Sequence, residues 1–145
     1  MVTNLPPTLV DRLRAARPRP AAGVVPGDVF DPDCPTRLVL SRIGDKWTSL
    51  VVLLLSDGPL RFSELRTRVG RVAPKVLTQT LRRMERDGLL AREVFAEVPP
   101  RVEYSLTELG RSLVGPISAV SDWAETHVDR ITAAQAAYDA AAAGK

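Results

Sequence analysis

LRFSELRTRVGRVAPKVLTQTLRRMERDG, residues 60–88, decides how the rest of the chain is read. It holds two helical patterns separated by a glycine-containing break. In the first, Ser63 is placed to cap, Glu64 sits in the first turn where the helix dipole favours an acid, and Leu65 and Val69 lie four apart on one face. Gly70 can end that helix in a left-handed conformation. In the second, Pro74 takes a first-turn position where its missing N–H costs nothing. Leu77, Leu81 and Met84 repeat at intervals of four and three, which predicts a buried stripe. Lys75, Thr78, Gln79 and Arg82 fall on the remaining faces. These side chains meet base edges and phosphates well: Gln pairs with adenine, Arg with guanine, and Thr with methyl groups and phosphates. A helix, a turn and a second helix with a basic outer face follow the logic of a helix-turn-helix. The bland alternative is a solvated amphipathic helix of any small α domain.

Charge sharpens the choice. Residues 61–92 carry nine Lys and Arg (Arg61, Arg66, Arg68, Arg71, Lys75, Arg82, Arg83, Arg86 and Arg92) against Glu64, Glu85 and Asp87, a local net charge of +6. The whole chain is +3, so the remainder sums to −3. Basic charge focused on a helix pair is the electrostatic footprint of nucleic-acid binding.

The chain has 145 residues, 45% hydrophobic and 26% charged, which suits one domain with a real core. The longest apolar run, residues 50–55, is far short of a membrane span, and the proline-interrupted N-terminus has no signal-peptide core. The single cysteine, Cys34, excludes an internal disulfide and fits a reducing cytoplasm.

Residues 1–33 hold six of the twelve prolines and read as a flexible arm. Residues 8–16 can form a short amphipathic helix through Leu9, Val10 and Leu13. Arg12, Arg14, Arg17 and Arg19 form a basic cluster able to touch a DNA backbone, although such segments are more often simply solvated. Pro35 opens a helix running to about residue 43, with Cys34 at or beside its cap. Leu38, Val39, Ile43 and Trp47 supply its apolar side. Gly44 and Asp45 break the pattern, and residues 46–56 form the central buried helix. Asp57, Gly58 and Pro59 stop it, and Leu60 and Arg61 supply a minimal strand. After Gly88 the period changes. Residues 89–96 suit a strand, and 101–106 alternate cleanly, with Val102, Tyr104 and Leu106 on one face. The stiff tip 97–100 between them makes a β-hairpin wing. Thr107 caps a last helical region in which Leu109, Leu113, Ile117, Val120, Ala124, Val128 and Ile131 form a long stripe. Gly115 and Pro116 should kink it near its start. A helix of this length suggests a second copy as its partner. The Ala-rich residues 132–145 are weakly specified and expected to fray.

These pieces resemble the HxlR-type winged helix-turn-helix transcriptional regulators, related to the MarR group. The resemblance rests on CP at 34–35, IGDKW at 43–47, GPLRFSELR at 58–66, KVLTQTLRRMERDGLL at 75–90 and EVPPRVEYSLTELGRSL at 97–113. It implies a mostly helical α+β fold with a wing, and a homodimeric, cytoplasmic, sequence-specific DNA-binding protein of a prokaryote. It further implies that the 74–87 helix enters the major groove, that the 97–101 tip reaches the backbone or minor groove, and that terminal helices make the dimer. The chain departs from the pattern at Ala73, where many relatives place a capping Ser or Thr, and in its arm, which is longer than the usual leader.

Several relatives use a cysteine just before the first helix as a sensor of oxidants, quinones or aldehydes. The physical reason carries over to Cys34: the positive end of a helix dipole favours the reactive thiolate. With one cysteine, the available products are an adduct, a sulfenic acid or a Cys34–Cys34′ bond across a dimer. The alternative is a small residue tucked at a helix start. His127, the sole histidine, makes a metal site improbable. Trp47 and Trp123 are expected in core and dimer packing, with an effector pocket between them left open. No catalytic set, phosphate loop or cofactor motif is present.

The reading is therefore a winged-helix domain over residues 34–131, between the arm 1–33 and the tail 132–145. It is expected to bind double-stranded DNA as a homodimer, with a small-molecule or oxidant effector left open. Lys75, Thr78, Gln79 and Arg82 are the expected groove-lining residues, and Ser63, Arg66, Arg83 and Arg101 the backbone contacts. Cys34 is the redox candidate. The alternatives are an architectural DNA binder without sequence preference, or a protein-interaction module on the same fold.

Overall fold

The computed structural model describes residues 8–16, 27, 29 and 31–144, without the side chains of Val10, Leu13 and Arg14. The chain divides into two units, 1–40 and 41–145, and each is taken by itself.

In the first unit, α1 spans Leu9–Ala15. Thr8 and Asp11 close its start reciprocally: the Thr8 N–H and hydroxyl donate to Asp11 Oδ2 at 2.9 and 2.7 Å, and the Asp11 N–H donates to Thr8 Oγ1 at 3.2 Å. The expected stripe cannot be followed, because the side chains of Val10 and Leu13 lie outside the described residues. So do Arg17, Arg19 and most of the arm. Helix α2, Thr36–Ile43, begins two residues after Cys34. Leu38 and Val39, expected on a packed side, are 57% and 55% exposed.

The second unit is built on α3, Lys46–Leu55. Asp45 caps it, its Oδ1 accepting the Trp47 and Thr48 N–H groups at 2.8 and 3.2 Å. Thr48, Val51, Val52 and Leu55 are buried, which makes α3 the central helix as its apolar run predicts. Strand β1, Leu60–Arg61, leads without a loop into α4, Phe62–Val69. Then come α5, Pro74–Arg86, and two strands, β2, Leu90–Phe95, and β3, Arg101–Leu106. The sheet is antiparallel in the order β1-β3-β2, with Leu60 opposite Tyr104 and Leu90 opposite Leu106. The β2–β3 hairpin is the wing. Leu60, Leu65, Val72, Leu77, Leu81, Met84, Leu89, Leu90, Leu106 and Ile117 complete the core around α3. Of the predicted inner face of β3, only Leu106 is fully buried, because the hairpin's far end extends beyond the core.

Three local expectations change. Ser63 does not cap α4. Arg61 occupies that position with an extended backbone (φ −77°, ψ 160°), because it is already paired to Glu103 in the sheet. The Glu64 carboxylate accepts the Arg61 N–H at 3.1 Å. Second, the C-terminal break falls at Leu113, between α6, Glu108–Ser112, and α7, Val114–Ala143. Pro116 then lies in the first turn of α7, where no N–H is needed, and disturbs nothing. Third, the tail continues α7 to Ala143. Alanine has the highest intrinsic helix propensity, and a run of it extends a helix already nucleated.

Thr107 joins wing and C-terminal helices, as its predicted cap requires. Its Oγ1 accepts the Gly110 N–H at 3.1 Å and its hydroxyl donates to the Gly88 carbonyl at 2.6 Å.

Candidate nucleic-acid interface

Helix α5 buries Leu77, Thr80, Leu81 and Met84. At about 100° per residue these four fall on one side, and Lys75, Gln79, Arg82 and Arg86 fall within an arc of about 60° on the opposite side. All four of those polar residues are exposed. The predicted Lys75, Gln79 and Arg82 are thus brought onto one face. Arg86 belongs with them although it is not among the expected groove-lining residues; its spacing of four from Arg82 is the signal that finds it. Thr78 is half-buried and its hydroxyl donates to the Pro74 carbonyl at 2.8 Å, so it offers the face mainly its methyl group. Ala73, at the cap, makes no side-chain bond. Pro74 opens the helix and the Leu77 N–H donates to the Ala73 carbonyl at 3.1 Å, so the first turn closes through the backbone.

A second group lies on α4 and the turn that follows it. Ser63 and Arg66 are exposed and line an open groove with Phe62, Thr67, Gly70, Arg71 and Val72. Gly70 has φ 89°, which turns the chain sharply there and leaves Arg71 exposed at the groove. Arg71 is a further exposed cation of this group, beyond the expected backbone contacts.

Two predicted backbone contacts are placed differently. Arg83 Nη2 lies 3.5 Å from Asp45 Oδ2. Arg101 Nη2 lies 3.3 Å from Glu97 Oε1, its Nε lies 3.6 Å from Glu103 Oε1, and its guanidinium covers the Phe95 ring at 4.1 Å. Both guanidinium groups therefore face internal carboxylates, and neither joins the exposed arc of α5. The wing as a whole, residues 90–106, holds Arg92 and Arg101 against Glu93, Glu97 and Glu103, a net charge of −1. The cationic surface belongs to the helix pair.

The helix pair, the three-stranded sheet and the hairpin directly after α5 make a winged helix-turn-helix. The sequence profile of the HxlR-like helix-turn-helix family matches residues 42–132. The chain belongs to this family. Among its relatives, the uncharacterized HTH-type transcriptional regulator YdeP of Bacillus subtilis is 45% identical over 107 residues, 74% of this chain and 84% of YdeP. The solved structure of ytfH from Salmonella typhimurium, named as a transcriptional regulator, is 40% identical with a TM-score of 0.71, over 76% of this chain and 98% of that one. The redox regulator HypR in its reduced form is 38% identical with a TM-score of 0.63, over 68% of this chain and 98% of that one. The HxlR-like match begins at Arg42, so Cys34 lies before it.

Cys34 is half-buried in the turn before α2, in the first unit. Its N–H donates to the Asp31 carbonyl at 3.1 Å, its carbonyl accepts the Arg37 N–H at 3.3 Å, and Sγ lies 3.1 Å from Thr36 Oγ1. His127 Nδ1 lies 2.7 Å from the Trp123 carbonyl, with the two rings stacked at 4.6 Å. Among the described residues no three metal-ligating side chains cluster, and no helix is long and apolar enough to cross a membrane.

Proposed function

We propose that this member of the HxlR-like family is a cytoplasmic, sequence-specific regulator that binds double-stranded DNA as a homodimer. The observation that carries the reading is the arc on α5. Lys75, Gln79, Arg82 and Arg86 stand clear of the core on the helix that a winged helix-turn-helix offers to the major groove. Thr78 lines the same face. Ser63, Arg66 and Arg71 on the α4 side are suited to the flanking phosphates, where sequence-independent affinity arises.

The dimer is supported by apolar surface that one chain leaves uncovered. Val120, Trp123, Ile131 and Tyr138 are 67%, 57%, 42% and 76% exposed, and their spacing of three, eight and seven keeps them on one side of α7. Leu38 and Val39 on α2 are exposed as well. A two-fold pair would place two copies of α5 in successive major-groove segments, about 34 Å apart or a multiple of that.

We further assign Cys34 as the element that responds to an oxidant or electrophile. Its turn position before α2 and the likeness to HypR, named as a redox regulator, support this. With no second cysteine, the product is an adduct, a sulfenic acid or a bond to Cys34 of the other subunit.

The test is selection of bound fragments from genomic DNA, with and without diamide or a quinone, on the parent and on Cys34→Ser. A regulator enriches a palindromic site, and only the parent loses it on treatment. Uniform retention of unrelated fragments would instead identify an architectural binder, retention of none would favour a protein-interaction module, and an equal response by Cys34→Ser would remove the thiol from the mechanism.

A further inference from the structure

Two ion pairs stitch the C-terminal end of α5 to the corner between α2 and α3. Arg42 Nε lies 3.2 Å from Asp87 Oδ2, and Arg83 Nη2 lies 3.5 Å from Asp45 Oδ2. Their polarities are crossed: the corner supplies a cation to Asp87 and an anion to Arg83. All four side chains are partly shielded, between 26% and 42% exposed, so water weakens these pairs less than it weakens fully exposed ones. Asp45 serves both helices at once, Oδ1 capping α3 and Oδ2 meeting Arg83.

The placement of these pairs on α5 gives them their meaning. Arg83 and Asp87 are four residues apart and share one flank of the helix. That flank lies between the buried stripe and the exposed arc of Lys75, Gln79, Arg82 and Arg86. Apolar packing alone resists lifting α5 from the core, but a smooth Leu and Met stripe resists rolling about the helix axis less well. Two charged tethers on one flank oppose that roll. A base-reading side chain must be held within about 10–20° of its working direction.

We propose that Asp45 and Asp87, with Arg42 and Arg83, are positioning residues that fix the roll of α5 and thereby set sequence discrimination. They are not themselves DNA contacts. The inference rests on the proposed reading of α5 as the groove helix. It also gives the IGDKW stretch and Asp87 a role that packing alone does not.

The whole 145-residue chain is tested as Asp45→Asn, which keeps an oxygen to cap α3 while removing the charge opposite Arg83. It is also tested as Asp87→Lys and as the charge swap Arg42→Glu with Asp87→Lys. The readout is the ratio of affinities for the selected operator and for random duplex, which cancels the general gain from an added cation. Each single variant should lower that ratio about tenfold, the scale of one mis-set base contact, with little change in Tm, and the swap should restore it. Unchanged ratios in both single variants, or a swap no better than Asp87→Lys alone, would overturn the proposal. Residual dipolar couplings of the α5 amides without DNA form the second arm. They should report a rolled α5 in the single variants and the parental orientation in the swap, and a parental orientation throughout would also overturn it. If the parent selects no DNA sequence, the proposed function fails while this arm still decides the tether.

Discussion

Arg101 Nη2 lies 3.3 Å from Glu97 Oε1, so the wing closes its own tip with an ion pair. The register also sets Glu93 directly opposite Glu103, a like-charge pair that costs stability in a sheet, and Arg101 Nε lies 3.6 Å from that second carboxylate. With its guanidinium over Phe95, Arg101 is engaged from three sides within one hairpin. Replacement by Ala should loosen the wing and lower stability by about 1 kcal/mol, the scale of a partly shielded ion pair with a cation–π contact. Urea titration measures this. The salt dependence of operator binding separates the two roles of Arg101. A strut leaves the slope of log affinity against log salt as it was, whereas a phosphate contact on each subunit would reduce its magnitude by about 2.

The exposed cations of the helix pair predict that slope itself. A dimer neutralising about eight phosphates should show a value near −7. Gel-shift titrations over a range of salt concentrations measure it, and a value near zero would contradict DNA binding through this surface.

Arg82 tests direct readout. Arg82→Ala should cost about 1–3 kcal/mol on the operator and much less on random duplex if the side chain reads a base. Equal losses on both would reassign it to a phosphate, and Arg86→Ala on the same arc provides the comparison.

Gly110 marks where wing and C-terminal helices meet most closely. A Cβ there would overlap the Leu89 carbonyl oxygen, which already accepts the Thr107 N–H at 3.1 Å, and would crowd Leu106 at 3.1 Å. A backbone carbonyl cannot move aside as a flexible side chain can. Gly110→Ala should therefore destabilise by about 1–3 kcal/mol or more, the cost of overpacking, seen as a lower urea midpoint.

The exposed stripe of α7 is tested by Trp123→Glu combined with Ile131→Glu. Both positions are open in one chain, so the substitutions should leave its fold and far-ultraviolet dichroism intact. Light scattering should nevertheless shift from dimer to monomer, and operator affinity should fall with it. A dimer that survives both charges would place the interface elsewhere.

Much of the fold was legible because its signals are local. The Leu77, Leu81 and Met84 stripe, Pro74 at a helix start, the helix end at Gly70 and the strand at 101–106 each depend on neighbours a few residues away. The start of α4 was not legible, because it depends on a distant partner. Ser63 loses the cap of α4 because Arg61 is paired with Glu103, forty-two residues on. The candidate site divides the same way: periodicity alone put Lys75, Gln79 and Arg82 on one face.

The sequence by itself determined the winged helix-turn-helix, the concentration of positive charge on its helix pair and the face of α5 turned from the core. Only the tertiary structure decided which cations remain available to a partner, since Arg83 is tethered to Asp45 and Arg101 to Glu97 and Glu103. The physical reason is range. Helix and strand periodicities act over a few residues of chain, whereas an ion pair depends on distance in space, which is set only once the core has brought its elements together.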